Sequence, residues 1–381
     1  MRAASVSDYR ELARRRLPRI FFEYIDGGSY AEATLARNVA DLEAIALRQR
    51  VMRDMSKLDM TVESLGQTFA MPVGLAPVGL SGMYARRGET QAAKAAAQAG
   101  LPFCLSAMGV CDAQEVAATG TPPWFQLYML KDRGYMRELL DRVKALGCPV
   151  LVFTVDLPIP GARYRDVRSG FTGSSGLSGA LNTAWDGITH PQWLWDVGLH
   201  GRPHSLGSVA GAVQGSRRIT DFLSWVARNF DRTVTWKDLD WVRETWDGPI
   251  VIKGVLDPAD AKEAVKAGAQ GLVVSNHGGR QLDGVRSSIS ALPRIADAVG
   301  SDLEVYMDGG IRSGLDVLKA MALGAKACFI GRAWAYALGA GGQAQVAKML
   351  GTLKSELAVA MVLTGCANVR DAGRSLLDLE A

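Results

Sequence analysis

Short apolar stretches alternate with amphipathic stretches along most of the chain. Apolar stretches of this length are typical of buried parallel strands, and the amphipathic stretches predict the helices that connect such strands. The apolar stretches that qualify as strands are Met71–Val78, Pro102–Ser106, Trp124–Tyr128, Val150–Val155, Ile250–Lys253, Leu272–Ser275, Glu304–Asp308 and Ala327–Gly331. A closed (β/α)8 barrel, or TIM barrel, has this number of strands, so the pattern predicts an α/β fold of that type.

Glycines mark the ends of several predicted helices. The clearest helices between strands are Glu89–Ala99, Asp132–Leu146, Asp257–Ala267 and Gly314–Leu323. A glycine stands directly after each of them, at Gly100, Gly147, Gly268 and Gly324. A residue at this place commonly adopts the left-handed conformation, which glycine tolerates best, so these glycines predict helix ends.

Two regions lie outside this alternation. Residues 1–60 precede the first strand and predict an N-terminal helical segment, with a turn at Asp26-Gly27-Gly28. Residues 168–235 form a long insertion after the fourth strand, and a connection of this length is typical of a functional insertion or a lid. No boundary resembles a free linker, so we predict a single domain over residues 1–381.

Composition and charge exclude several classes of protein. The 381 residues are 48% hydrophobic and 22% charged, which is typical of a globular enzyme and excludes a disordered protein. The net charge of +4 is spread along the chain, so nucleic acid is not an expected partner. The five cysteines form no CxxC pair, which favours reduced thiols. The first sixteen residues lack the apolar core of a signal peptide, so we expect an intracellular protein.

Polar side chains or glycines follow all the predicted strands. In a parallel barrel the carboxyl ends of the strands meet at one rim, where the active site lies. The strand ends are Pro77-Val78-Gly79, Ser106, Gln126 with Tyr128, Thr154 with Asp156, Lys253, Ser275-Asn276-His277, Asp308 and Gly331-Arg332. So polar a set is hard to explain by strand termination alone, and it predicts an active site at this rim.

The densest group is Ser275-Asn276-His277-Gly278-Gly279-Arg280-Gln281. Histidine is the natural proton acceptor near neutral pH, and an arginine three residues later suits a carboxylate. The remaining histidines, at 190, 200 and 204, lie in the insertion without cysteine or paired carboxylate partners. We therefore interpret them as loop residues and predict no metal site.

Glycine-rich loops follow the last two strands. The sequences Asp308-Gly309-Gly310-Ile311-Arg312 and Ile330-Gly331-Arg332 stand where barrels bind phosphate. Lys253 ends an otherwise apolar strand, so its ammonium group needs a negative partner. Two functions remain open for it: a Schiff-base lysine, or a cation that stabilises negative charge on a reduced cofactor ring.

The strings SNHGGRQLDG, DGGIR and IGR, together with FQLY and FTVDLP upstream, resemble the FMN-dependent α-hydroxy-acid dehydrogenase and oxidase family. The resemblance extends from Tyr24 to about residue 365 and covers nearly the whole chain. It is strongest to the bacterial respiratory L-lactate dehydrogenase branch, through strings such as LAPVGLSGMYARRGE, GARYRD and THPQW.

The resemblance implies a role for each motif residue. His277 would be the catalytic base beside Asp156, with Tyr128 at the substrate hydroxyl and Tyr24, Arg163 and Arg280 at its carboxylate. The implied FMN-binding residues are Pro77, Val78, Gly79, Ser106, Gln126, Thr154, Lys253, Ser275, Asp308, Gly309, Gly310, Arg312, Gly331 and Arg332. Of these, Lys253 would stabilise the reduced ring, and the glycines and arginines at the end of the list would hold the phosphate.

The implied reaction is oxidation of an L-2-hydroxy acid, with L-lactate giving pyruvate. The family also implies electron transfer to a quinone, a peripheral place on the cytoplasmic side of the inner membrane, and a homo-oligomer such as a tetramer. An oxidase that uses dioxygen and a mandelate-type dehydrogenase are the alternatives. Gly79 favours a dehydrogenase, since many oxidases of the family carry alanine there. Met108 and Pro160 are expected to face the substituent on carbon 2.

The insertion supports two hypotheses. Residues 168–218 contain Trp185, Trp193 and Trp195, followed by Arg202, Arg217 and Arg218. Tryptophan favours the bilayer interface and arginine is attracted to anionic headgroups, so this segment is a candidate membrane-docking surface. The alternative is a lid whose tryptophans pack against the barrel.

Overall fold

The computed structural model describes residues 2–171, 187–209, 211, 225 and 228–378. Its strands, labelled in chain order, are β1 (Val62–Ser64), β2 (Gln67–Phe69), β3 (Val73–Leu75), β4 (Cys104–Ser106), β5 (Trp124–Leu127), β6 (Leu151–Thr154), β7 (Ile250–Val255), β8 (Gly271–Val274), β9 (Glu304–Asp308) and β10 (Ala327–Ile330). Strands β3 to β10 pair in parallel in the order β3-β10-β9-β8-β7-β6-β5-β4. A parallel bridge between Leu75 and Phe103 joins the two outer strands and closes the barrel. The predicted (β/α)8 architecture is confirmed.

The helices surround this barrel. In chain order they are α1 (Val6–Arg16), α2 (Arg19–Asp26), α3 (Ala33–Ala44), α4 (Gly88–Gln98), α5 (Ala113–Ala117), α6 (Arg133–Ala145), α7 (Tyr164–Arg168), α8 (Asp238–Thr245), α9 (Pro258–Lys266), α10 (Ser288–Val299), α11 (Gly314–Ala322) and α12 (Arg332–Thr364). The four glycines predicted to end helices all adopt positive φ, between 67° and 101°. Residues 191–199 form a helical turn inside the insertion.

The N-terminal prediction is correct for α1 to α3 and wrong for residues 45–60, which contain no helix. These residues run along the C-terminal part of the chain, where backbone bonds replace helical ones. The amide of Arg50 donates to the Leu363 carbonyl, and that of Asp59 donates to the Ala367 carbonyl.

An antiparallel hairpin, β1–β2, precedes the barrel and was not predicted. Ser64 at the end of β1 bonds Glu304 and Tyr306 of β9, with oxygen–oxygen distances of 2.7 and 2.6 Å. Because Glu304 begins its strand, the hairpin attaches to the end of the barrel opposite the predicted site. No helix in the described ranges is long and apolar enough to cross a bilayer.

Candidate active site

A cavity opens at the carboxyl ends of the strands. Every strand-end loop of the barrel contributes to it, and α2 covers one side. The predicted site residues that line it are Tyr24, Pro77, Val78, Gly79, Ser106, Tyr128, Thr154, Arg163, Lys253, His277, Arg280, Asp308, Gly309, Gly310, Arg312, Gly331 and Arg332. The barrel therefore brings together residues that are up to three hundred positions apart in the chain.

The other three predicted residues lie directly behind this lining. Gln126 is fully buried and accepts a hydrogen bond from Ser106 Oγ at 3.1 Å. Ser275 Oγ accepts hydrogen bonds from Lys253 Nζ and from the His277 amide, each at 3.0 Å. Asp156 bonds the His277 ring. These residues support the lining side chains.

His277 stands on a strained turn after β8. Its φ of 58° lies in the left-handed region, and Gly278 and Gly279 continue the turn with φ values of 64° and 73°. The ring nitrogen Nδ1 lies 2.9 Å from Asp156 Oδ1, so the ring is oriented with Nε2 away from the carboxylate. Burial lowers the pKa of His277, and Asp156 offsets this only in part. The imidazole is therefore neutral at neutral pH and able to accept a proton.

Asp156 is held in place by the last residue of the histidine motif. Gln281 Nε2 donates to the carbonyls of Asp156 and Ile159, each at 2.9 Å, and its Oε1 accepts from the Gly161 amide. Burial alone would raise the pKa of Asp156, but His277 and Lys253 lower it below its ordinary value. The carboxylate is therefore ionised and stabilises a proton gained by His277.

Two arginines enter the cavity from different loops. The Arg280 guanidinium lies 4.8 Å from the centre of the Tyr24 ring, and Nη1 donates to the carbonyls of Tyr24 and Gly27. Arg163 Nε donates to the Arg280 carbonyl at 3.2 Å. Both side chains are anchored through part of the guanidinium, which leaves N–H groups for a bound carboxylate.

Lys253 has the negative partner that its burial requires. Its Nζ lies 2.9 Å from Asp308 Oδ2, and the lysine is only 4% exposed. Burial alone would lower the pKa of Lys253, but Asp308 and Asp156 raise it above its ordinary value. Because a Schiff-base lysine must be neutral to attack a carbonyl, the charged state favours the second function considered for this residue.

The glycine loop after β9 passes close to α3. Gly309 and Gly310 have φ values of 95° and 90°, and a Cβ at position 310 would lie 2.1 Å from the Asn38 carbonyl oxygen. The loop leads to Ser313, which caps the N-terminus of α11. On the neighbouring loop, burial lowers the pKa of Arg332 to about 10, a value at which it remains charged at neutral pH. Backbone amides, a helix start and an arginine together suit a phosphate.

Several buried polar atoms at the rim lack partners. Gln126 Nε2, Thr154 Oγ1 and Asp308 Oδ1 have no hydrogen-bond partner among the residues that the structure describes. Unpaired buried polar atoms are rare and indicate a bound group that satisfies them. A flat ring with donors and acceptors on its edges would do so, and the phosphate loop lies at the same cavity. The donor set thus fits FMN.

The lining residues that the sequence missed include Tyr84, Leu157 and Phe230. The Phe230 ring lies 4.9 Å from the Tyr128 ring, and Tyr84 Oη donates to the Gly79 carbonyl at 3.0 Å. Phe230 lies near the end of the insertion. The one signal in the sequence that could have indicated it is an isolated aromatic residue among polar ones. Met108 and Pro160 line the cavity, as expected.

The two tryptophans in the described part of the insertion differ in burial. Trp193 is buried, where Nε1 donates to the Met83 carbonyl at 2.8 Å and the ring lies 5.2 Å from Phe21. Trp195 is 65% exposed. The expectation that both belong to one membrane-facing cluster is therefore wrong for Trp193, whose indole packs on the body of the protein. Trp185, Arg217 and Arg218 lie outside the described residues.

The histidines of the insertion show no metal-binding arrangement. His200 Nδ1 and His204 Nε2 each lie 2.8 Å from a backbone carbonyl. Within the described ranges, no group of three or more His, Cys, Asp or Glu residues could hold a metal ion.

Comparison with known proteins agrees with this geometry. Residues 13–379 match the family model described as FMN-dependent dehydrogenase. The L-lactate dehydrogenase of Ectopseudomonas mendocina is 56% identical, with 97% of each chain covered. That of Caulobacter vibrioides is 57% identical, covering 99% of this chain and 98% of the relative.

Solved structures give the same result for the fold. A mandelate oxidase bound to (S)-4-hydroxymandelic acid has a TM-score of 0.86 and 38% identity, with 99% and 98% of the two chains covered. The monotopic membrane protein (S)-mandelate dehydrogenase has a TM-score of 0.92 and 31% identity, with 99% and 100% covered. The family match spans the whole cavity, whose donors fit the flavin, so the chain belongs to the FMN-dependent dehydrogenases and is an oxidoreductase with FMN as its cofactor.

Proposed function

We propose that the enzyme oxidises L-lactate to pyruvate and passes the electrons to a membrane quinone. The observation that carries the proposal is His277, paired with Asp156, in the same cavity as Arg163 and Arg280. Oxidation of a 2-hydroxy acid requires a base beside a cationic site that binds the substrate carboxylate. The relatives named L-lactate dehydrogenase support lactate as the preferred substrate.

The substrate carboxylate binds Arg280 and Arg163, with Tyr24 beside them. Two guanidiniums that are already anchored lose little freedom on binding, so the carboxylate fixes the orientation of carbon 2. Tyr128 approaches the hydroxyl group. Burial raises the pKa of Tyr128, which therefore remains a phenol and donates a hydrogen bond to the oxygen that becomes the ketone.

His277 accepts one of the two protons that the hydroxy acid gives up. The ionised Asp156 stabilises the imidazolium, and Gln281 keeps that carboxylate in place. FMN, when bound, would be the acceptor for the two electrons and for the second proton. Lys253, charged and buried, stabilises the negative charge that arises on this side of the cavity.

The residues that would hold FMN follow from the unpaired atoms and the glycine loops. Gln126, Thr154 and Ser106 would bond the edges of the ring, and the backbone of residues 77–79 would lie against it. The backbone of residues 309–310, with Arg312 and Arg332, would hold the phosphate. Ser275 and Asp308 would support Lys253, which would offset negative charge on the bound cofactor.

Anaerobic reduction of the bound flavin tests the reaction and the substrate together. L-lactate should bleach the yellow protein faster than glycolate, L-mandelate or 2-hydroxyoctanoate, with one pyruvate formed per flavin. Faster bleaching by mandelate would favour the mandelate-type alternative, which the similar solved structures of mandelate oxidase and (S)-mandelate dehydrogenase support. Stoichiometric peroxide in air would instead identify an oxidase.

We propose that the insertion docks the enzyme on the cytoplasmic leaflet near the quinone. Its described part exposes Ile188, Trp195 and Leu199, by 65%, 65% and 50%. Arg16 and Arg86 flank this surface, both within 4 Å of Asp196. Exposed apolar side chains beside arginines suit peripheral attachment to anionic lipid. The monotopic (S)-mandelate dehydrogenase supports this view.

A homo-oligomer, as the resemblance implies, is part of the same proposal. Light scattering of the purified holoenzyme tests it. A mass of four chains supports the tetramer, and the mass of one chain contradicts it.

A further inference from the structure

A buried carboxylate accompanies the two arginines of the cavity. Asp166 lies in the first turn of α7, three residues after Arg163, and is 2% exposed. Its Oδ2 atom is 3.8 Å from Arg163 Nη1 and has no hydrogen-bond partner among the described residues. The acid therefore acts on the guanidinium through its charge and not through a hydrogen bond.

Helix capping does not explain this carboxylate. Asp8 occupies the same position in α1, and its carboxylate accepts hydrogen bonds from the amides of Ala4 and Ser5. No such bond is made by Asp166 Oδ2 within the described ranges. The same helix position thus serves a backbone cap in α1 and faces the cationic site in α7.

The two guanidiniums repel each other. Burial and the neighbouring Arg280 lower the pKa of Arg163, while Tyr24 and Asp166 oppose this shift. Elsewhere in the cavity, Lys253 pairs with Asp308, and the Arg332 guanidinium donates to backbone carbonyls of Ile25, Gly27 and Gly278. Burial raises the pKa of Asp166 above its ordinary value, while Arg280 and Arg163 oppose that shift. With Asp166 ionised, the three groups carry a net charge of +1, which matches a monoanion better than a dianion.

We infer that Asp166 is a positioning residue that holds Arg163 in the cavity and sets the charge of the carboxylate site for monocarboxylates. It selects against dicarboxylates, because a second anionic group on the ligand would meet only one net positive charge and the buried acid. This inference rests on the proposed function for the presence of a carboxylate ligand and adds the charge class of that ligand.

Binding of pyruvate, a monoanion, and oxalate, a dianion, to the oxidised holoenzyme tests the inference. Each dissociation constant is determined by titration, from the change in flavin absorbance on ligand binding. In Asp166→Asn, the preference for oxalate over pyruvate should rise about tenfold, because the net charge increases to +2 while the side chain keeps its size. Asp166→Glu keeps the charge and should keep the wild-type preference.

A second variant tests the same charge balance in the opposite direction. Arg163→Met reduces the net charge to zero, so the preference for oxalate should fall. The effect of Asp166→Asn on pyruvate affinity should be smaller in the Arg163→Met background than in the wild-type enzyme, because the positioning effect acts through Arg163. Asp8→Asn, the same chemical change at the same helix position, should leave both affinities unaltered.

The outcomes are distinct. If Asp166→Asn weakens both anions by the same factor, the charge-setting role is wrong. If it has its full effect on pyruvate without Arg163, the positioning role is wrong. If Asp166→Asn does not fold, an unchanged anion preference in Arg163→Met overturns the charge-setting role by itself. Because binding is measured without turnover, the result does not depend on lactate being the substrate: absent flavin bleaching with normal anion selectivity would overturn only the proposed function.

Discussion

The strand-end rim and the insertion differ in how their side chains are fixed. At the rim, each strand is paired on both sides, and residues such as Lys253 and Asp308 point into the cavity because of the barrel register. In the described part of the insertion, individual contacts join the chain to the body: side-chain contacts of Trp193 with Met83 and of Arg16 with Asp196, and single backbone bonds such as that from the Gly207 amide to the Gly109 carbonyl. The rim therefore supports chemistry that needs accurate placement, and the insertion supports contacts with an outside surface.

Exchanging a histidine in each region tests this contrast most strongly. His277→Ala should slow flavin reduction by L-lactate by about 10³- to 10⁴-fold, because the proton acceptor is lost. FMN content should not change. His204→Ala, in the insertion, should keep the wild-type rate, since its ring bonds the Val197 carbonyl and does not line the cavity. Stopped-flow reduction of both variants is the measurement, and near-normal reduction of His277→Ala would remove the base from the mechanism.

The buried ion pair at the rim should give the next largest effect. Lys253→Met leaves Asp308 buried without its cation, which should lower the free energy of unfolding by about 3–5 kcal/mol. Bound flavin and its reduction by substrate should fall as well. Urea unfolding and flavin content check this, with Lys266→Met on the exposed face of α9 as the control. A variant with full flavin, wild-type stability and normal reduction would contradict the role.

The carboxylate site should show a smaller effect. Arg280→Lys should raise KM for L-lactate by about 10- to 100-fold and slow reduction, because a point charge cannot replace a planar fork. Arg202→Lys, on the exposed insertion, should change neither value. Steady-state kinetics with an artificial acceptor measure both, and unchanged kinetics in Arg280→Lys would exclude it from substrate binding.

On the insertion, the expected effect concerns lipid and not catalysis. Replacing Ile188 and Trp195 with serine should weaken binding to phosphatidylglycerol–phosphatidylethanolamine vesicles by about tenfold or more, because two exposed apolar side chains are lost. Reduction by L-lactate should stay normal. Val359→Ser on α12, also well exposed, is the control. If the wild-type protein does not cosediment at low salt, the docking proposal fails and a lid is the better interpretation.

The smallest effect expected is a shift along the pH axis. His277 must be neutral to accept a proton, and its pKa lies below the ordinary 6.5, so reduction should be lost only as pH falls through that lowered value. Arg163 helps to lower this pKa. The acid limb of the rate constant for flavin reduction should therefore move to higher pH in Arg163→Met, and an unmoved or lowered limb would contradict the assignment of His277.

Local patterns were sufficient to predict the barrel and its rim. Period and length identified the strands, and strand polarity then placed Thr154, Lys253 and His277 at one edge. The hairpin β1–β2 escaped prediction because its short strands, VES and QTF, are mostly polar, whereas the equally short β3 and β4 lie within longer apolar stretches. Phe230 and Trp193 could not be assigned, since their positions depend on contacts between distant parts of the chain.

Residues within one sequence motif have different functions, which the sequence did not reveal. In the motif around His277, Asn276 pairs with Asn38 of α3 through two amide hydrogen bonds of 2.8 Å, and Gln281 fixes the loop of Asp156. Neither function is visible from spacing, because each partner is more than a hundred residues away. The resemblance supplied roles for His277 and Arg280, and only the structure shows what keeps them in place.

The end of α2 has a consequence for the order of synthesis. Arg280 donates to the carbonyl of Tyr24, 256 positions earlier, and Arg332 donates to the carbonyl of Ile25, 307 positions earlier. Helix α2 is among the first parts of the chain to be synthesised. Its terminal carbonyls gain these partners only after the last strand, β10, has been synthesised. Closure of the cavity, and with it capture of FMN, is a late event in the life of the nascent chain.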